Sequence, residues 1–422
     1  MSRLLRRLLF YCFSAGFIVT SIILILYTVG WSIDAKECFR VPFTCVIRKT
    51  GAIFIETSPR DVRFILDGAP HDDASGVIQS GTLIKNLRAG SHLLRIEKEG
   101  YRAWEKTLTV RANRVTEVLD TILIPEIIEL SPTPFSALRG DAIEAVNPRN
   151  NMVIIKNEVS KTFYLYDRSA AGTALNLSLI ARNLLGATII RAAFHPFDNT
   201  RIIIETENEL SLVNIGNRTV IRIAARPSAW DMDGGTINYI DTTPPATLWS
   251  FNLTTGTRTS RGRTPTSTTA ITGIETADDI RVFKDSTGNL MTQHGDLPIM
   301  TDDGAKMPTI SPDERKVAYL KDGKINIYFL REWIRGAEKK AGDRITIPSP
   351  GVIEDIAWHR DSAHLILIYK KDGALHGELA DLDDREPRNR YDLARDGSSM
   401  RYHTDAGLLF IIRGGKLFFL PV

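Results

Sequence analysis

The sequence predicts an all-β protein with one helix at its amino end, and three observations carry that prediction. Residues 8–33 are uncharged and apolar, residues 51–124 alternate apolar and polar side chains between turns, and residues 135–422 repeat one strand–turn–strand phrase. A period of two is typical of a half-buried strand, and a recurring phrase indicates stacked units. We therefore expect one transmembrane helix, a small β-sandwich and a β-propeller of about seven blades.

Length and charge set the first limits on function. The chain has 422 residues, with 53 lysines and arginines against 50 aspartates and glutamates. That length suits two or three domains. Because the charges nearly balance, the chain lacks the concentrated basic field by which proteins hold nucleic acid, and we expect no nucleic-acid partner.

The apolar stretch over residues 8–33 predicts a transmembrane helix. At about 1.5 Å per residue, a helix of this length exceeds the roughly 30 Å hydrocarbon core of a bilayer. A cleaved signal peptide is the alternative, but no small-residue cleavage site follows, which favours a retained anchor. The arginines in residues 1–7 indicate a cytoplasmic tail. We expect a single-pass protein of the cell membrane, with the bulk of its chain outside the cytoplasm.

The next segment, residues 34–50, is interpreted as a linker and contains Cys38 and Cys45. On the oxidising side of a membrane these cysteines can form a disulfide that closes a small loop, and two free thiols are the alternative. Their spacing is not the C-x-x-C of a zinc or redox site.

Residues 51–124 have the pattern of six short strands and contain no helix signal. Ser58-Pro59 and Asp67-Gly68 mark the turns around a hairpin. Gly100-Tyr101 ends a later strand, because glycine permits a sharp turn and tyrosine can bury its ring while its hydroxyl stays in water. We expect a small β-sandwich or a partly closed sheet of roughly seventy residues.

This pattern resembles the PEGA domain, a small all-β module of bacterial and archaeal cell-surface proteins. The resemblance rests on the turns named above, on Gly81-Thr82 before an apolar strand, and on Gly90-x-His92 leading to Gly100-Tyr101. Of the tetrapeptide that names the family, only Pro59 is kept. The resemblance implies framework residues, with ligand contact as the alternative for His92 and Tyr101. The predicted framework residues are Pro59, Asp67, Gly68, Gly90, Gly100 and Tyr101.

Residues 125–134 contain three prolines and are interpreted as a stiff linker. Beyond this linker, a turn-forming residue repeatedly precedes a strand, a tight hairpin and a second strand. The clearest copy has the turn Ser311-Pro312-Asp313 and the hairpin Asp322-Gly323. Asp405 and Gly415 are separated by the same interval as Asp313 and Gly323, which indicates a repeat in register.

A period of about 35–50 residues is typical of four-stranded propeller blades. Residues 135–422 resemble the TolB-type WD40-like β-propeller repeats, which carry an S-P-D-G phrase before an apolar strand; here Glu314 stands at the glycine position. Counting the repeated units predicts about seven blades, with six or eight as the alternatives. The predicted framework turns are Pro312, Asp313 and Gly323. Because one blade cannot bury its apolar face alone, we expect the last strand pair, Leu408 to Leu420, to close the ring with strand material from its start.

Nothing in the sequence indicates an enzyme, a cofactor or a metal site. It contains no G-x-S-x-G, HExxH, P-loop or G-x-G-x-x-G motif. Asp231 to Gly235 place two carboxylates beside glycines, but the further ligands of a calcium loop are missing and a blade turn is preferred. His195 and His359 each precede an apolar strand, where a structural hydrogen bond explains them. We expect no catalytic residue, no cofactor and no bound metal.

A threonine-rich stretch over residues 259–273 lies beside Arg258 and contains Arg261 and Arg263. We interpret it as a solvated loop between blades. Recognition of an acidic polymer is the alternative.

The sequence therefore favours a membrane-anchored, non-enzymatic envelope protein that presents a β-propeller to a protein or glycan partner outside the cytoplasm. One alternative is a propeller-based hydrolase or lyase that acts on envelope polysaccharide or peptide. Paired acids in a concave pocket at the end of the ring would favour that enzyme. Another alternative is a structural spacer in a surface layer.

Overall fold

The computed structural model divides into two compact units, and each is described by itself. The first comprises Met1–Ile127 with Ile334–Ala337 and Asp383–Asn389, and the second comprises Ile128–Trp333, Glu338–Leu382 and Arg390–Val422. The residues that the structure describes are 3–28, 31–33, 47–71, 81–133, 135, 138–147, 152–167, 174–241, 246–265, 270–295, 297–335 and 337–422.

Helix α1 covers Arg3–Thr28 and carries exposed apolar side chains. Phe13 and Phe17 have exposed fractions of 76% and 74%. Among the helices of the described residues, none has the length and apolarity that crossing a membrane requires. The predicted transmembrane span over residues 8–33 is therefore not supported by the structure.

The observed helix also differs from the predicted one at both ends. It begins within residues 1–7 and ends before strand β1 (Trp31–Ile33), which was expected to be helical. This strand pairs antiparallel with the start of strand β2 (Ile47–Ser58). Pairing with β1 gives hydrogen-bond partners to main-chain N–H and C=O groups along the edge of β2. The apolar composition of residues 8–33 does not reveal that the end of this stretch is needed as a strand.

Within its described residues, the first unit has two four-stranded sheets. One has the order β1, β2, β5, with β8 parallel to β2, and the other has the order β4, β3, β6, β7. The further strands are β3 (Arg63–Leu66), β4 (Ala69–His71), β5 (Thr82–Arg88), β6 (Gly90–Glu97), β7 (Trp104–Val110) and β8 (Val115–Ile122).

One apolar core joins the two sheets of the first unit and includes Ile53, Phe64, Leu94, Trp104 and Val118. Side chains along β7 alternate between buried and more exposed positions, as expected for a strand with one face on a core. The first unit thus has the β-sandwich architecture that the alternating pattern predicts.

Strand β7 also buries a charge. Lys106 is fully buried, and its Nζ donates to the carbonyl oxygens of Asp383 at 2.7 Å and of Arg385 at 2.9 Å. Both carbonyls lie in the segment Asp383–Asn389 of the same unit. Because a buried ammonium group needs acceptors in place of water, these bonds fix the position of that segment.

The second unit contains seven four-stranded sheets within its described residues. Sheet 1 has β10 (Ala142–Asn147), β11 (Met152–Asn157), β12 (Thr162–Asp167) and β13 (Ala174–Asn176), and sheet 2 has β14 (Ile189–Phe194), β15 (Arg201–Thr206), β16 (Glu209–Asn214) and β17 (Val220–Ala225). Sheet 3 has β18 (Ala229–Asp233), β19 (Thr236–Asp241), β20 (Thr247–Asn252) and β21 (Arg258–Arg263), and sheet 4 has β22 (Ile271–Ala277), β23 (Ile280–Asp285), β24 (Leu290–His294) and β25 (Leu297–Asp302). Sheet 5 has β26 (Lys306–Ile310), β27 (Lys316–Lys321), β28 (Lys324–Phe329) and β29 (Arg344–Pro348), and sheet 6 has β30 (Val352–Trp358), β31 (His364–Lys371), β32 (Ala374–Asp381) and β33 (Arg390–Gly397). All six are antiparallel meanders, the arrangement expected of propeller blades.

Sheet 7 joins two distant parts of the chain. Its strands are β34 (Ser399–His403), β35 (Leu408–Arg413), β36 (Lys416–Pro421) and β9 (Ser131–Pro132). Strand β9 pairs antiparallel with β36 at Phe418 and Phe419. The last strand pair is therefore completed by a strand from the start of the unit, as the repeat pattern predicts.

The second unit also contains a helix, which the sequence analysis did not predict. Helix α2 (Leu177–Leu185) begins after Asn176, whose Oδ1 accepts a hydrogen bond from the N–H of Leu179 at 2.9 Å. It ends at Gly186, whose φ of 65° is the left-handed conformation that glycine adopts readily. Leu177 and Ala181 are buried at the four-residue spacing of one helix face.

Apolar clusters fill the space between neighbouring sheets of this unit. One cluster, for example, joins Phe329 and Ile347 of sheet 5 to Trp358 and Leu367 of sheet 6. Another joins sheet 7 back to sheet 1. The sheets thus bury their inner strands against their neighbours, which explains why strands such as β15 and β31 are apolar on both sides.

Hydrogen bonds involving side chains also link each sheet to the next and the seventh to the first. In several of them, a side chain on the first strand of one sheet bonds to a main-chain group of the neighbouring sheet. The bonds are Ala192 N to Glu144 Oε1, Arg191 Nη1 to the Trp230 carbonyl, Thr276 N to Asp231 Oδ2, Ile310 N to Glu275 Oε1, Trp358 Nε1 to the Thr309 carbonyl, Thr404 Oγ1 to the Trp358 carbonyl, and Ile143 N to Ser399 Oγ.

Candidate functional site

A cavity of about 740 Å³ opens where the first strands of sheets 1, 2, 3 and 7 end. We call it the end cavity. Four separate strand ends or turns contribute to its wall, so sequence periodicity alone does not reveal it. Residues that define its chemistry are Asn147, Phe197, Met232, Arg401, His403 and Asp405.

An exposed aromatic ring dominates one wall of the end cavity. Phe197 lies in the turn between β14 and β15, and 62% of it is exposed. Its N–H donates to Nδ1 of the buried His195 at 3.1 Å, which fixes the turn. Burial lowers the pKa of His195, so the ring remains a neutral acceptor. A Cβ at Gly235 would lie 3.0 Å from the Phe197 ring, so glycine leaves space for this ring.

Charges of both signs complement the apolar wall of the end cavity. Arg401 and Asp405 are exposed, and they come from strand β34 and the turn that follows it. Concave sites that combine apolar walls with a few polar groups are typical binding sites. The end cavity can therefore accommodate an apolar group and orient a polar one.

Two carboxylates on the first strands of sheets 3 and 4, Asp231 and Glu275, form a second cluster. Burial raises the pKa of Asp231. Burial, and then the nearby charge of Asp231, raise the pKa of Glu275 to about 8. Each carboxylate accepts a main-chain N–H of the next sheet at 2.8 Å. We call this pair the first-strand acids, and their contacts assign them to joining sheets.

A repeated ion pair occupies the turn between the first and second strands of three sheets. In sheet 2, Asp198 Oδ2 lies 3.0 Å from Arg201 Nε, and in sheet 5 Asp313 Oδ2 lies 2.6 Å from Lys316 Nζ. In sheet 6, Asp361 Oδ2 lies 2.7 Å from His364 Nδ1. The base follows the aspartate by three residues and opens the second strand in every case. We call these contacts the paired turns.

The paired turn of sheet 6 contains a further imidazole. His359 Nδ1 lies 3.0 Å from the same Asp361 oxygen, and both histidines are buried. Burial by itself would raise the pKa of Asp361, but the charges and hydrogen bonds of His364 and His359 hold it well below its usual range. The sequence pattern predicts a structural hydrogen bond for His359 but not its contact with Asp361 and His364, because the two imidazoles meet only when the turn closes.

The predicted framework residues of the first unit lie in its turns. Asp67 and Gly68 form the two-residue hairpin between β3 and β4, with φ values of 50° and 80°. Asp67 also accepts from the N–H of Leu93 at 2.9 Å and lies 2.6 Å from His92 Nδ1. His92 is therefore bound within the framework, and Pro59 follows the end of β2.

The remaining framework residues flank strand β6 and the turn after it. Gly90 opens β6, and Gly100 has a φ of 77° in the turn that follows. Tyr101 packs on the apolar core and forms an isolated bridge with Pro125. These residues lie in or beside the turns of the first unit, and their role as framework residues stays a prediction.

In the second unit, Pro312 and Asp313 lie in the turn before β27, and Gly323, with a φ of 70°, closes the hairpin between β27 and β28. Gly234 and Gly235 form the hairpin between β18 and β19, which agrees with the preferred blade turn.

Two further predictions concern the cysteines and the loop over residues 259–273. Cys38 and Cys45 lie outside the described residues, while Cys12 is a free, exposed thiol. The predicted loop over residues 259–273 is in part a strand, since β21 occupies Arg258–Arg263 with every residue exposed. A strand with both faces exposed has no apolar alternation, so its sequence resembles a loop.

No curated protein matches the chain. Among solved structures, it is similar to the computationally designed Ika8 protein, with 11% identity, a TM-score of 0.43 and coverage of 70% of this chain and 100% of that one. It is similar to a chain of the mitotic checkpoint complex, with 12% identity, a TM-score of 0.48 and coverage of 71% and 95%. It is also similar to Hsv2 of Kluyveromyces lactis, with 10% identity, a TM-score of 0.42 and coverage of 72% and 96%.

The family comparison concerns the first unit. It covers strands β3 to β8, most of β2 and the turns between them, including the turns at Asp67-Gly68 and Gly100-Tyr101. The resemblance predicted from those turns is confirmed: residues 50–122 match the family model of the PEGA domain.

Proposed function

We propose that this protein is a non-enzymatic scaffold of the cell envelope whose second unit is a closed seven-bladed propeller. In this proposal, the end cavity binds a protein or glycan partner outside the cytoplasm. The observation that carries the proposal is the end cavity itself, which brings an exposed phenylalanine and charges of both signs together from four sheets. The links from each sheet to the next and from sheet 7 to sheet 1 support closure of the ring.

Helix α1 and the PEGA match support the proposed location. Exposed apolar side chains such as Phe10, Phe13 and Phe17 need a covering, and a membrane would provide one. PEGA domains belong to cell-surface proteins, which supports an extracytoplasmic position for the first unit.

Binding is tested with the full chain on a glycan array and against a displayed peptide library. We expect ligands selected by the wild-type protein to lose at least about fivefold in affinity with Phe197→Ser or Arg401→Ala. Val159→Ser is the matched control, since Val159 is 91% exposed in the hairpin between β11 and β12, outside the end cavity. Equal losses in the control, or unchanged binding in both cavity variants, would remove the end cavity from the proposal.

Two further outcomes test the rest of the proposal. Turnover of a glycan or peptide by the wild-type protein would replace the scaffold with the propeller hydrolase. For location, intact cells that carry a carboxyl-terminal tag are treated with protease. We expect loss of the tag, whereas a tag that survives while the membrane stays sealed contradicts an extracytoplasmic second unit.

A further inference from the structure

The paired turn of sheet 6 gathers three groups that can bind a metal. His359, Asp361 and His364 each offer one donor atom, and these atoms lie within 4.8 Å of one another. All three residues lie between the end of β30 and the start of β31. The exposed fractions of the side chains are 3% for His359, 4% for His364 and 17% for Asp361.

The two ring nitrogens of His359 face two different acceptor oxygens. Its Nε2 lies 3.2 Å from the main-chain oxygen of Val422, which only accepts, so Nε2 carries the hydrogen. The other nitrogen, Nδ1, faces Asp361 Oδ2 at 3.0 Å, and the main-chain N–H of Asp361 approaches the same nitrogen at 3.5 Å. A bare ring nitrogen and a carboxylate oxygen repel at 3.0 Å, so a proton or a metal cation lies between them.

Comparison with sheet 5 shows what is particular to this turn. There, Ser311 and Lys316 occupy the positions of His359 and His364, and Asp313 occupies that of Asp361. Ser311 donates to Asp313 at 2.5 Å, and the Lys316 ammonium completes the pair at 2.6 Å. A protonated lysine has no lone pair for a metal, whereas two imidazoles supply two. The turns of sheets 5 and 6 therefore share one strand register. Where the sheet 5 turn has an ion pair of aspartate and lysine, the sheet 6 turn has two imidazoles and a carboxylate, which can all bind a metal.

We propose that His359, Asp361 and His364 form a binding site for a divalent transition-metal ion, with Zn²⁺ as the best match. Two imidazole nitrogens and one carboxylate oxygen are common zinc ligands, and they leave a fourth position for water. Bonds of about 2.0–2.1 Å in a tetrahedral site place ligand atoms roughly 3.3 Å apart. The contacts of 2.7 and 3.0 Å to Asp361 Oδ2 therefore open by a few tenths of an ångström on binding.

The surroundings of the three ligands suit such a site. The Val422 oxygen holds the Nε2 hydrogen of His359, which directs Nδ1 towards the ion. The second carboxylate oxygen, Asp361 Oδ1, accepts the N–H groups of Ala363 at 2.8 Å and His364 at 3.1 Å, which fixes the carboxylate. Such contacts orient ligands before the metal arrives.

The test measures binding of Co²⁺ by visible absorption, with Zn²⁺ as competitor, on the full chain without a polyhistidine tag. We expect about one ion per chain, the absorption of a tetrahedral site, and displacement by Zn²⁺. The matched control is the double variant His359→Ser with His364→Lys, which reproduces the turn of sheet 5. It should lose at least about 100-fold in affinity. Wild-type binding no tighter than that of the control would overturn the proposal.

A second measurement needs no variant. Zn²⁺ should raise the melting temperature of the wild-type protein, and a chelator should reverse the rise, because a ligand of the folded state stabilises it. An unchanged melting temperature at saturating Zn²⁺ would mean that a proton, and no metal, separates His359 from Asp361. That result would also overturn the proposal.

Discussion

The paired turn of sheet 6 and the first-strand acids shift the pKa of a buried carboxylate in opposite directions. In the turn of sheet 6, two imidazoles hold the pKa of Asp361 well below its usual range although the carboxylate is largely buried. On the first strand of sheet 4, Glu275 has its carboxylate bonded to a main-chain amide and lies near the charge of Asp231, and its pKa rises to about 8. The difference is the presence of a base at hydrogen-bond distance in the first case.

Repeated units of one fold therefore differ in their electrostatics. A turn of fixed length always brings the residue three positions after the aspartate to the carboxylate, so a base at that position forms a local pair. A carboxylate on a first strand lies against another sheet, so its partner is a group of that sheet, such as a main-chain N–H. Local pairs should therefore act as stabilising ion pairs, and first-strand acids as pH-dependent links between sheets.

The largest effect is expected for Lys316→Met, which removes the base of the sheet 5 turn. Lys316 is fully buried, and its Nζ lies 5.5 Å from the centroid of the Trp333 ring and 5.7 Å from that of Trp358. Loss of the fully buried ammonium leaves Asp313, whose side chain is 30% exposed, without this partner. Breaking a fully buried pair costs about 3–5 kcal/mol, and because water reaches Asp313 we expect a loss of about 3 kcal/mol. Urea unfolding of the full chain should show the loss in the transition of the second unit. Lys161→Met, at an exposed pair with Glu158, is the control and should change little.

The second prediction concerns Glu275→Gln and its dependence on pH. Glu275 has a higher pKa in the folded protein than the ordinary value of 4.5, so the folded state retains a proton that the unfolded chain releases. Its contribution is fully present below about pH 4.5 and is lost as pH rises towards 8, by up to about 1.4 kcal/mol per pH unit. Glutamine does not titrate and keeps an acceptor for the N–H of Ile310.

We therefore expect the stability of Glu275→Gln relative to the wild-type protein to increase between pH 5 and pH 8. Urea midpoints at several pH values measure this difference. A difference that stays constant over that range would show that Glu275 is ionised in the folded protein, and the contrast with the paired turns would then fail.

The smallest effect is expected for Arg201→Met in the turn of sheet 2. This pair has the same register as Asp313 and Lys316, but the exposed fractions of its side chains are 37% for Arg201 and 33% for Asp198. Solvent screens an exposed pair, so the loss should stay within about 1 kcal/mol. The measurement is the same urea titration. A loss equal to that of Lys316→Met would mean that register, and not burial, decides the strength of these pairs.

Much of the fold could be predicted because it depends on local pattern. Alternation along β7, the glycine turn at Gly100 and the repeated hairpins each use residues that are neighbours in sequence. Asn176 and Gly186 mark the two ends of helix α2, but the helix was not predicted. The repeated strand pattern on both sides of it predicts strands and does not indicate a helix. Strand β21 was missed because both of its faces are exposed.

The candidate sites were less predictable. The end cavity combines residues as far apart as Asn147 and Asp405, and no short motif connects them. The imidazoles of His359 and His364 are close in sequence, but their convergence on one carboxylate oxygen depends on how the turn closes. Histidines near an aspartate are common in sequences, so spacing alone did not distinguish a cluster from scattered residues.

The β class, the turns of the PEGA-like region and the repeated units of the second unit can be read from local pattern, because period and turn chemistry are properties of adjacent residues. Which charges meet depends on the packing of the sheets. That packing placed Glu275 against Ile310 of the next sheet and brought Val422 to His359. Those contacts join residues that are distant in sequence, and the packing of sheets against one another creates them.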